Sequence, residues 1–345
     1  MTSAQAIAAT GEVARHNRRP HRWLAAAILA AAVAAVASIV FGSRAIELSE
    51  VWRAITTGGD DLAAAAVRSR IPRTLLALLV GAALAMSGVM LQGVTRNPLA
   101  DPFILGINSG AALLVVIGIA FFSIQSMTSY IWFSLTGAGL AATFVYVVGS
   151  LGQGGPTPLK LALAGAATTA ALGSVTTAIL LPRIEVMNVY RFWSIGGVGR
   201  AENSDTLMVL PFIAFGIVLC VLAAGTLNVL GLGDEAAAGL GIDVLRTRLI
   251  ATSAGVILAA AATALAGPIG FIGLVVPHLV RLVVGSDHRW LLPISAFAGA
   301  ALLTVADVVG RVIARPGEIE VGIITALIGG PVFIWVVLTK TGDQI

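Results

Sequence analysis

Charged residues are scarce in this sequence. Asp, Glu, Lys and Arg together make up 11% of the 345 residues, whereas a soluble domain carries about a quarter. Hydrophobic residues make up 58%, and the mean hydropathy is +0.96. This composition excludes a surface that is fully exposed to water, so lipid must cover much of the chain. The apolar runs are long and unbroken, which favours membrane helices over a β-barrel of alternating segments about ten residues long.

Residues that carry chemistry are also few. The single cysteine, Cys220, lies in an apolar run, where we expect a small buried hydrophobe rather than a disulfide. The four histidines are scattered, and the sequence contains no metal-binding cluster, no G-x-x-x-x-G-K-[ST] phosphate loop and no G-x-S-x-G elbow. We therefore expect no metal site, no cofactor and no catalytic centre in this chain. Energy for any work would come from an ion gradient or a partner ATPase.

Ten apolar stretches are candidates for membrane spans, which need about 20 mostly apolar residues. We predict an all-α polytopic membrane protein with one ten-helix transmembrane domain at residues 23–340 and both termini in the cytoplasm. Residues 1–22 form its basic cytoplasmic N-terminal segment, and we expect the first span to be retained rather than cleaved as a signal peptide. The ten stretches are 23–42, 71–94, 104–122, 129–150, 159–181, 206–229, 247–266, 269–284, 290–310 and 320–339.

Positive charge is divided almost evenly between the predicted inner and outer loops. Inner loops of a membrane protein normally hold the excess of Lys and Arg, yet the outer loops here hold nearly as many. Either this topology is wrong or the outer arginines have a function of their own. We do not expect a nucleic-acid partner, because arginines in a membrane protein usually mark loops and helix ends.

Two regions depart from the pattern of plain apolar spans. The eighth stretch, 269–284, is short and contains Pro277, so we expect protein rather than lipid around it; an ordinary proline kink is the alternative. The two prolines of residues 96–102 must end a helix there. Gly106 and Gly110 follow at a spacing that permits close approach of helices.

Four motifs occur in order along the chain. They are RIPR at 70–73, RNPLADP at 96–102, GFIGLVVPH at 270–278, and a pair of segments at 307–311 and 320–331. Together with the ten-span profile they resemble the FecCD-type permease family, the transmembrane subunits of ATP-binding-cassette (ABC) importers for ferric siderophores, haem and vitamin B12. The resemblance covers the chain from about residue 23 to residue 339.

The resemblance implies a translocation subunit in the cytoplasmic (inner) membrane, not an enzyme. Its implied cargo is a metal chelate, most often a ferric siderophore, with vitamin B12 or haem as alternatives. Its implied partners are the lipid bilayer, a second permease subunit in a homodimer or heterodimer, two ATP-binding subunits that hold ATP and Mg, and an extracytoplasmic substrate-binding protein.

The resemblance also assigns roles to residues near the membrane surfaces. Arg70, Arg73 and Arg311 match the family's docking arginines, whose guanidinium groups can pair with carboxylates of a binding protein. The alternative for Arg70 and Arg73 is contact with lipid headgroups. The residues of the implied cytoplasmic gate at the dimer axis are Asn97, Leu99 and Thr157; for the segment at 96–102 a plain turn between helices is the alternative.

Residues 230–245, between the sixth and seventh spans, are predicted to contain a short cytoplasmic helix. Its acidic residues suit a helix N-terminus, its alanines favour helix, and Gly239 or Gly241 can end it. The segment resembles the coupling helix that ABC permeases insert into a cleft of the ATPase; a connector without a partner is the alternative. The residues assigned to this coupling are Asp234, Glu235, Ala236, Leu240 and Gly241.

Asp307 is the clear candidate for an ionisable residue deep in a span. It lies four residues before Arg311, and that spacing predicts a salt bridge on one helix face. An ion-coupled secondary transporter could instead use such a residue, but the matching discontinuous helices of two halves are not seen in the sequence. A membrane-embedded enzyme is the third possibility, and it lacks a catalytic cluster.

Overall fold

The described part of the chain is mostly α-helical. A computed structural model describes residues 19–43, 48–56, 62–98, 100–151, 157–199 and 202–341. Turns and one 3₁₀ segment at Pro102–Leu105 connect the helices of these ranges. The thirteen α-helices described are α1 (Pro20–Val40), α2 (Leu48–Thr56), α3 (Leu62–Thr95), α4 (Ile107–Phe122), α5 (Met127–Ser150), α6 (Pro158–Leu180), α7 (Ile184–Ser194), α8 (Asn203–Leu230), α9 (Asp234–Gly239), α10 (Val244–Ala266), α11 (Ile272–Val284), α12 (His288–Ile313) and α13 (Val321–Thr341).

Seven of the described helices are long and apolar enough to cross a membrane. These are α1, α3, α5, α6, α8, α10 and α12, and the shorter apolar helices α4, α11 and α13 coincide with the remaining predicted spans. The prediction of an all-α membrane protein is thereby confirmed. The count of ten spans and the cytoplasmic location of both termini stay predictions. Following the predicted orientation, we call the end of the bundle at which α3 begins the outer end and the opposite one the inner end.

Helix α3 lies in backbone contact with two neighbours. Gly81 faces Gly299 of α12, and a Cβ added to either would overlap the other's carbonyl oxygen. Gly88 faces Gly273 of α11 just as closely. Glycine permits this approach because it has no side chain to separate the two backbones. Helix α3 is therefore fixed against α11 and α12 along its length.

The predicted role of two glycines in close packing holds for one of them. Gly110 of α4 faces Gly137 of α5 so closely that a Cβ on Gly110 would overlap the Gly137 carbonyl oxygen. Gly106 instead precedes α4 with φ +67°, a left-handed conformation that glycine adopts readily. Its task is the turn into α4, not helix packing.

Two stretches expected to be polar loops contain helices. The second span was expected to open at residue 71, but α3 begins at Leu62, and α2 also forms within the expected outer loop at 43–70. A run of four alanines at 63–66 favours helix, and α3 continues through Pro72. In the same way α7 occupies part of the expected loop at 182–205.

Helix α11 is short and enclosed by protein. Its 13 residues span about 20 Å at 1.5 Å per residue, less than the roughly 30 Å hydrocarbon core of a bilayer. Ile272, Val276 and Pro277 are buried, which confirms that this segment faces the bundle interior. Cys220 is also fully buried, as predicted.

Helix α6 contrasts with α11, because only 28% of its most apolar 18-residue stretch is buried. Four hydroxyl groups on it donate to the carbonyl oxygen four residues earlier, at 2.7–2.9 Å. Each of these hydroxyls is therefore satisfied by its own helix. The four residues are Thr168, Ser174, Thr176 and Thr177.

Candidate functional site

The three predicted docking arginines line one cavity at the outer end. Helices α3 and α12 run antiparallel, so the start of α3, with Arg70 and Arg73, lies beside the end of α12, with Arg311. Their side chains border a cavity of about 220 Å³. Gly42 and Gly199 form other parts of its wall, and a side chain on Gly42 would overlap the guanidinium of Arg70. The cavity is therefore basic and shaped around its arginines.

Asp307 joins two of these arginines. Arg73 of α3 donates to Asp307 through Nε at 3.1 Å and Nη2 at 2.7 Å, and Arg311 Nη2 lies 2.9 Å from Oδ2 of the same carboxylate. The side chains of Asp307 and Arg311 are 0% and 2% exposed. The predicted salt bridge between Asp307 and Arg311 is confirmed. The contribution of Arg73 was missed, because spacing along one helix does not show a partner from another.

Glu318, between α12 and α13, is a second acid at this cavity. Arg73 Nη1 donates to its Oε2 at 2.6 Å, and the side chain of Glu318 is 38% exposed. Burial by itself would raise the pKa of Glu318, but the hydrogen bond and charge of Arg73 outweigh it and leave that pKa below its ordinary value. The sequence motifs did not include Glu318. The one feature that could have indicated it is its position shortly after the motif that ends at Arg311.

The other two arginines hold the end of α1. Arg70 Nη1 donates to the carbonyl oxygens of Ile39 and Val40 at 3.0 and 2.9 Å, in the last turn of α1, where carbonyls have no partner within the helix. Arg311 donates through Nη2 to Ser38 Oγ at 2.7 Å. All three arginines thus have partners inside the chain. Their use for docking stays a prediction.

The short helix predicted between the sixth and seventh spans is present at the inner end, and its role in coupling stays a prediction. Helix α9 runs from Asp234 to Gly239, and Gly241, with φ +81°, turns the chain after it. Ala237 is fully buried and packs against the bundle, whereas Leu240 is 65% exposed. Glu235, Ala236 and Gly241 are exposed as well. One face of α9 therefore rests on the bundle, and its other face is exposed.

Asp234 connects α9 to two other helices. It accepts a hydrogen bond from Arg248 Nη2 of α10 at 2.9 Å and another from Arg96 Nη2, directly after α3. The same Arg96 nitrogen donates to the carbonyl oxygen of Leu230, the last residue of α8, at 2.6 Å. Four helix ends therefore meet at this point, and we call the three charged side chains Arg96, Asp234 and Arg248 the inner clamp.

Two of the predicted gate residues, Asn97 and Thr157, lie at the same end. Asn97 directly follows Arg96, which has φ +49°, and its carbonyl oxygen accepts from the backbone N–H of Ala100 at 3.0 Å. Thr157 caps the start of α6, where its hydroxyl accepts from the N–H of Lys160 at 3.3 Å. Leu99 lies outside the described residues. The gate assignment stays a prediction.

A buried polar network that the sequence did not reveal surrounds the inner end of α3. Gln92 donates to the Gly273 carbonyl oxygen at 3.1 Å and accepts from Arg281 Nη1 at 3.1 Å. His288 Nδ1 lies 2.8 Å from Oδ1 of Asn228. Among the described residues, His, Cys, Asp and Glu form no group of three that could hold a metal ion.

Comparison with known proteins gives these features a family context. The model of the FecCD transport family matches residues 29–339. The probable siderophore transport system permease protein YfiZ of Bacillus subtilis is 42% identical over 306 residues, covering 88% of this chain and 91% of that protein. The ferric enterobactin transport system permease protein FepD of Escherichia coli is 41% identical over 312 residues, covering 90% and 92%. The hemin transport system permease protein HmuU of Yersinia pestis is 37% identical over 327 residues, covering 93% and 97%.

The fold also has a counterpart among solved structures. A metal-chelate type ABC transporter in an inward-facing conformation superposes with a TM-score of 0.79 at 30% sequence identity. The match covers 92% of this chain and 99% of that one. Both sequence and fold are therefore similar over almost the whole chain.

Proposed function

The chain belongs to the FecCD transport family, and from this premise we propose that it carries a ferric siderophore across the membrane. It is a multi-pass inner-membrane protein and the permease subunit of an ABC importer, in which a separate ATPase subunit hydrolyses ATP. Its similarity along nearly its full length to two permeases named for siderophore or enterobactin transport carries the siderophore assignment. Haem and vitamin B12 are the alternative cargoes.

The proposed complex joins this chain to three kinds of partner. A second permease subunit, identical or a sister chain, completes the pathway, and two ATP-binding subunits holding ATP and Mg attach at the inner end. A substrate-binding protein delivers the chelate at the outer end. The exposed Leu240 and the exposed residues of α9 support the ATPase contact, and the gate of Asn97, Leu99 and Thr157 would open in response.

The outer cavity is proposed as the docking point of the binding protein. Arg70, Arg73 and Arg311 place three positive charges around it, and guanidinium groups pair well with carboxylates. A glutamate or aspartate of the partner that reaches this cavity would meet Arg70 and Arg73 in its wall. Such charge pairing speeds encounter and weakens as salt increases.

Reconstitution tests the cargo. We would place the chain with its partner ATPase in proteoliposomes and add binding protein loaded with a ferric siderophore, haemin or cobalamin. Uptake of the siderophore that requires ATP is the expected result. ATP-dependent uptake of haemin or cobalamin alone would replace the siderophore assignment. Uptake driven by an ion gradient without the ATPase would contradict the importer mechanism and direct attention to Asp307.

Neutral substitutions test the docking point. Arg70→Gln and Arg73→Gln should each weaken binding of the loaded binding protein about tenfold, or about 1.4 kcal/mol, and should reduce its salt dependence. Arg191→Gln, on an exposed arginine of α7, is the matched control and should bind normally. Thermal unfolding identifies variants that fail to fold. Folded Arg70→Gln and Arg73→Gln proteins with unchanged affinity would exclude this cavity as the docking point.

A further inference from the structure

The inner clamp consists of two arginines and one aspartate. The aspartate is Asp234, the first residue of α9. Arg248 reaches it from the first turns of α10, and Arg96 reaches it from the residue that follows α3. Their side chains are 45%, 18% and 37% exposed for Asp234, Arg248 and Arg96 respectively. The clamp therefore sits at the water-facing edge of the bundle, where partners can act on it.

Arg96 is held at two points. Its Nη2 contacts Asp234 and also donates to the Leu230 carbonyl oxygen at the end of α8. A long side chain that is fixed at both its backbone and its terminal group has little freedom to absorb movement of α9 by changing rotamer. A shift of Asp234 must then move the backbone of Arg96.

The backbone of Arg96 is the start of the gate corner. Helix α3 ends at Thr95, Arg96 adopts the left-handed φ of +49°, and Asn97 follows directly. A left-handed conformation is uncommon for a residue with a side chain, so surrounding contacts must hold it. The clamp supplies two such contacts.

Resting on the coupling role proposed for α9, we propose that Asp234 is a positioning residue that transmits movement of the ATPase-facing helix to the gate corner at Asn97 through Arg96. Arg248 keeps the carboxylate in place against α10. Movement of α9 then shifts residue 97 by way of one ion pair rather than through the whole bundle.

Weak individual contacts suit this task. Ion pairs that are partly exposed contribute little to stability, so the clamp adds little to the stability of the fold and can move with α9 in each transport cycle. Because Asp234 has two arginine partners, it remains held when one contact lengthens. Loss of the clamp should thus impair coupling rather than folding.

The test is the number of chelate molecules taken up per ATP hydrolysed. The full complex of this chain, its ATPase and its loaded binding protein is assayed in proteoliposomes with Asp234→Asn and Arg96→Gln. Each variant should keep ATP hydrolysis within about twofold of wild type and lower uptake per ATP about tenfold, and Asp234→Glu should restore much of the ratio. The matched control is Arg246→Gln, which removes an exposed arginine from the same turn of α10 as Arg248 and should leave the ratio unchanged.

A double variant separates one shared contact from two independent effects. Combining Asp234→Asn with Arg96→Gln should be no worse than either alone, because both remove the same link. A wild-type ratio in either single variant, an additive double variant, or a joint loss of uptake and hydrolysis would overturn the proposal. Absence of ATP-dependent uptake in the wild-type complex would instead contradict the proposed function itself, so the two failures are distinguishable.

Discussion

The two ends of α3 show the same arrangement of charge in opposite surroundings. At the outer end Arg73 pairs with Asp307, and at the inner end Arg96 pairs with Asp234; a second arginine from another position contacts each aspartate. Asp307 is 0% exposed, whereas Asp234 is 45% exposed. Each aspartate is shared by two arginines, and the largest difference between the two sites is the burial of the carboxylate.

The difference in burial determines how much stability is lost when each ion pair is broken. Removing one partner of a buried pair leaves an uncompensated charge in a medium that solvates it poorly. Water can solvate an exposed charge that loses its partner, so breaking the pair changes little. We infer that the outer pair fixes α1, α3 and α12 together, while the inner pair can move with α9 during transport.

The largest expected effect breaks the outer pair. Asp307→Asn leaves Arg73 and Arg311 without their shared carboxylate, and should lower the free energy of unfolding by about 3–5 kcal/mol. Thermal unfolding in detergent micelles measures this loss. Asp243→Asn is the control, because Asn caps a helix as well as Asp does and Asp243 caps α10. An unchanged thermal midpoint for Asp307→Asn would show that the outer pair contributes as little to stability as the inner pair.

The second largest effect is expected at the close contact between α3 and α11. In Gly88→Ala the new methyl would overlap the backbone of Gly273, where neither helix can yield, so we expect a loss of about 1–3 kcal/mol. Gly173→Ala on α6 adds the same methyl where no atom lies within 4 Å and should be neutral or slightly stabilising. Thermal unfolding of both proteins makes the comparison. Equal stability of the two variants would show that α3 is not fixed by this contact.

A smaller effect, on binding of the loaded binding protein, is expected for Glu318 at the outer cavity. Glu318 occupies Arg73 and is partly exposed, so it competes with a docking carboxylate. Glu318→Gln should therefore tighten binding of the loaded binding protein about fivefold, or about 1 kcal/mol, in a surface-binding assay. Glu185→Gln, at an exposed acid of α7, is the control.

The lowered pKa of Glu318 determines how the effect of Glu318→Gln on binding changes with pH. A depressed pKa means that the pair with Arg73 is present at neutral pH and is lost as the pH falls through that pKa. The advantage of Glu318→Gln over wild type should thus shrink in acid. Weaker binding by the variant at neutral pH would mean that Glu318 assists docking rather than competing with it.

The smallest expected effect is the stability change on breaking the inner pair. Asp234→Asn should change the free energy of unfolding by less than about 1 kcal/mol, although uptake per ATP falls. The measurement is the thermal midpoint beside that of Asp307→Asn. Similar large losses for both variants would remove the contrast between the two ends.

Local features of the fold could be predicted from the sequence because they depend on neighbours in the chain. Acids followed by alanines and glycines predicted α9, and the spacing of Asp307 and Arg311 predicted their salt bridge. The short stretch with Pro277 predicted a buried helix. Each of these depends on the geometry of a single helix, which hydrophobic periodicity and residue preferences describe well.

Contacts between distant parts of the chain could not be predicted in this way. Arg73 and Glu318 are separated by 245 positions, and Arg96 and Asp234 by 138. Nothing in the spacing along one helix specifies which other helix lies beside it. The start of α3 was also missed, because Arg68 and Arg70 lower the hydropathy of a segment that is nevertheless helical.

The self-bonded hydroxyls of α6 have a consequence for biogenesis. Among the seven longer spans α6 has a mean hydropathy of 1.5, the lowest of the set, and would be the hardest to release from the insertion machinery into lipid. A hydroxyl that already donates to the carbonyl of its own helix needs no partner from water, so its transfer into hydrocarbon is less unfavourable. We therefore expect these four side chains to ease the entry of α6 into the bilayer before any neighbouring helix is in place.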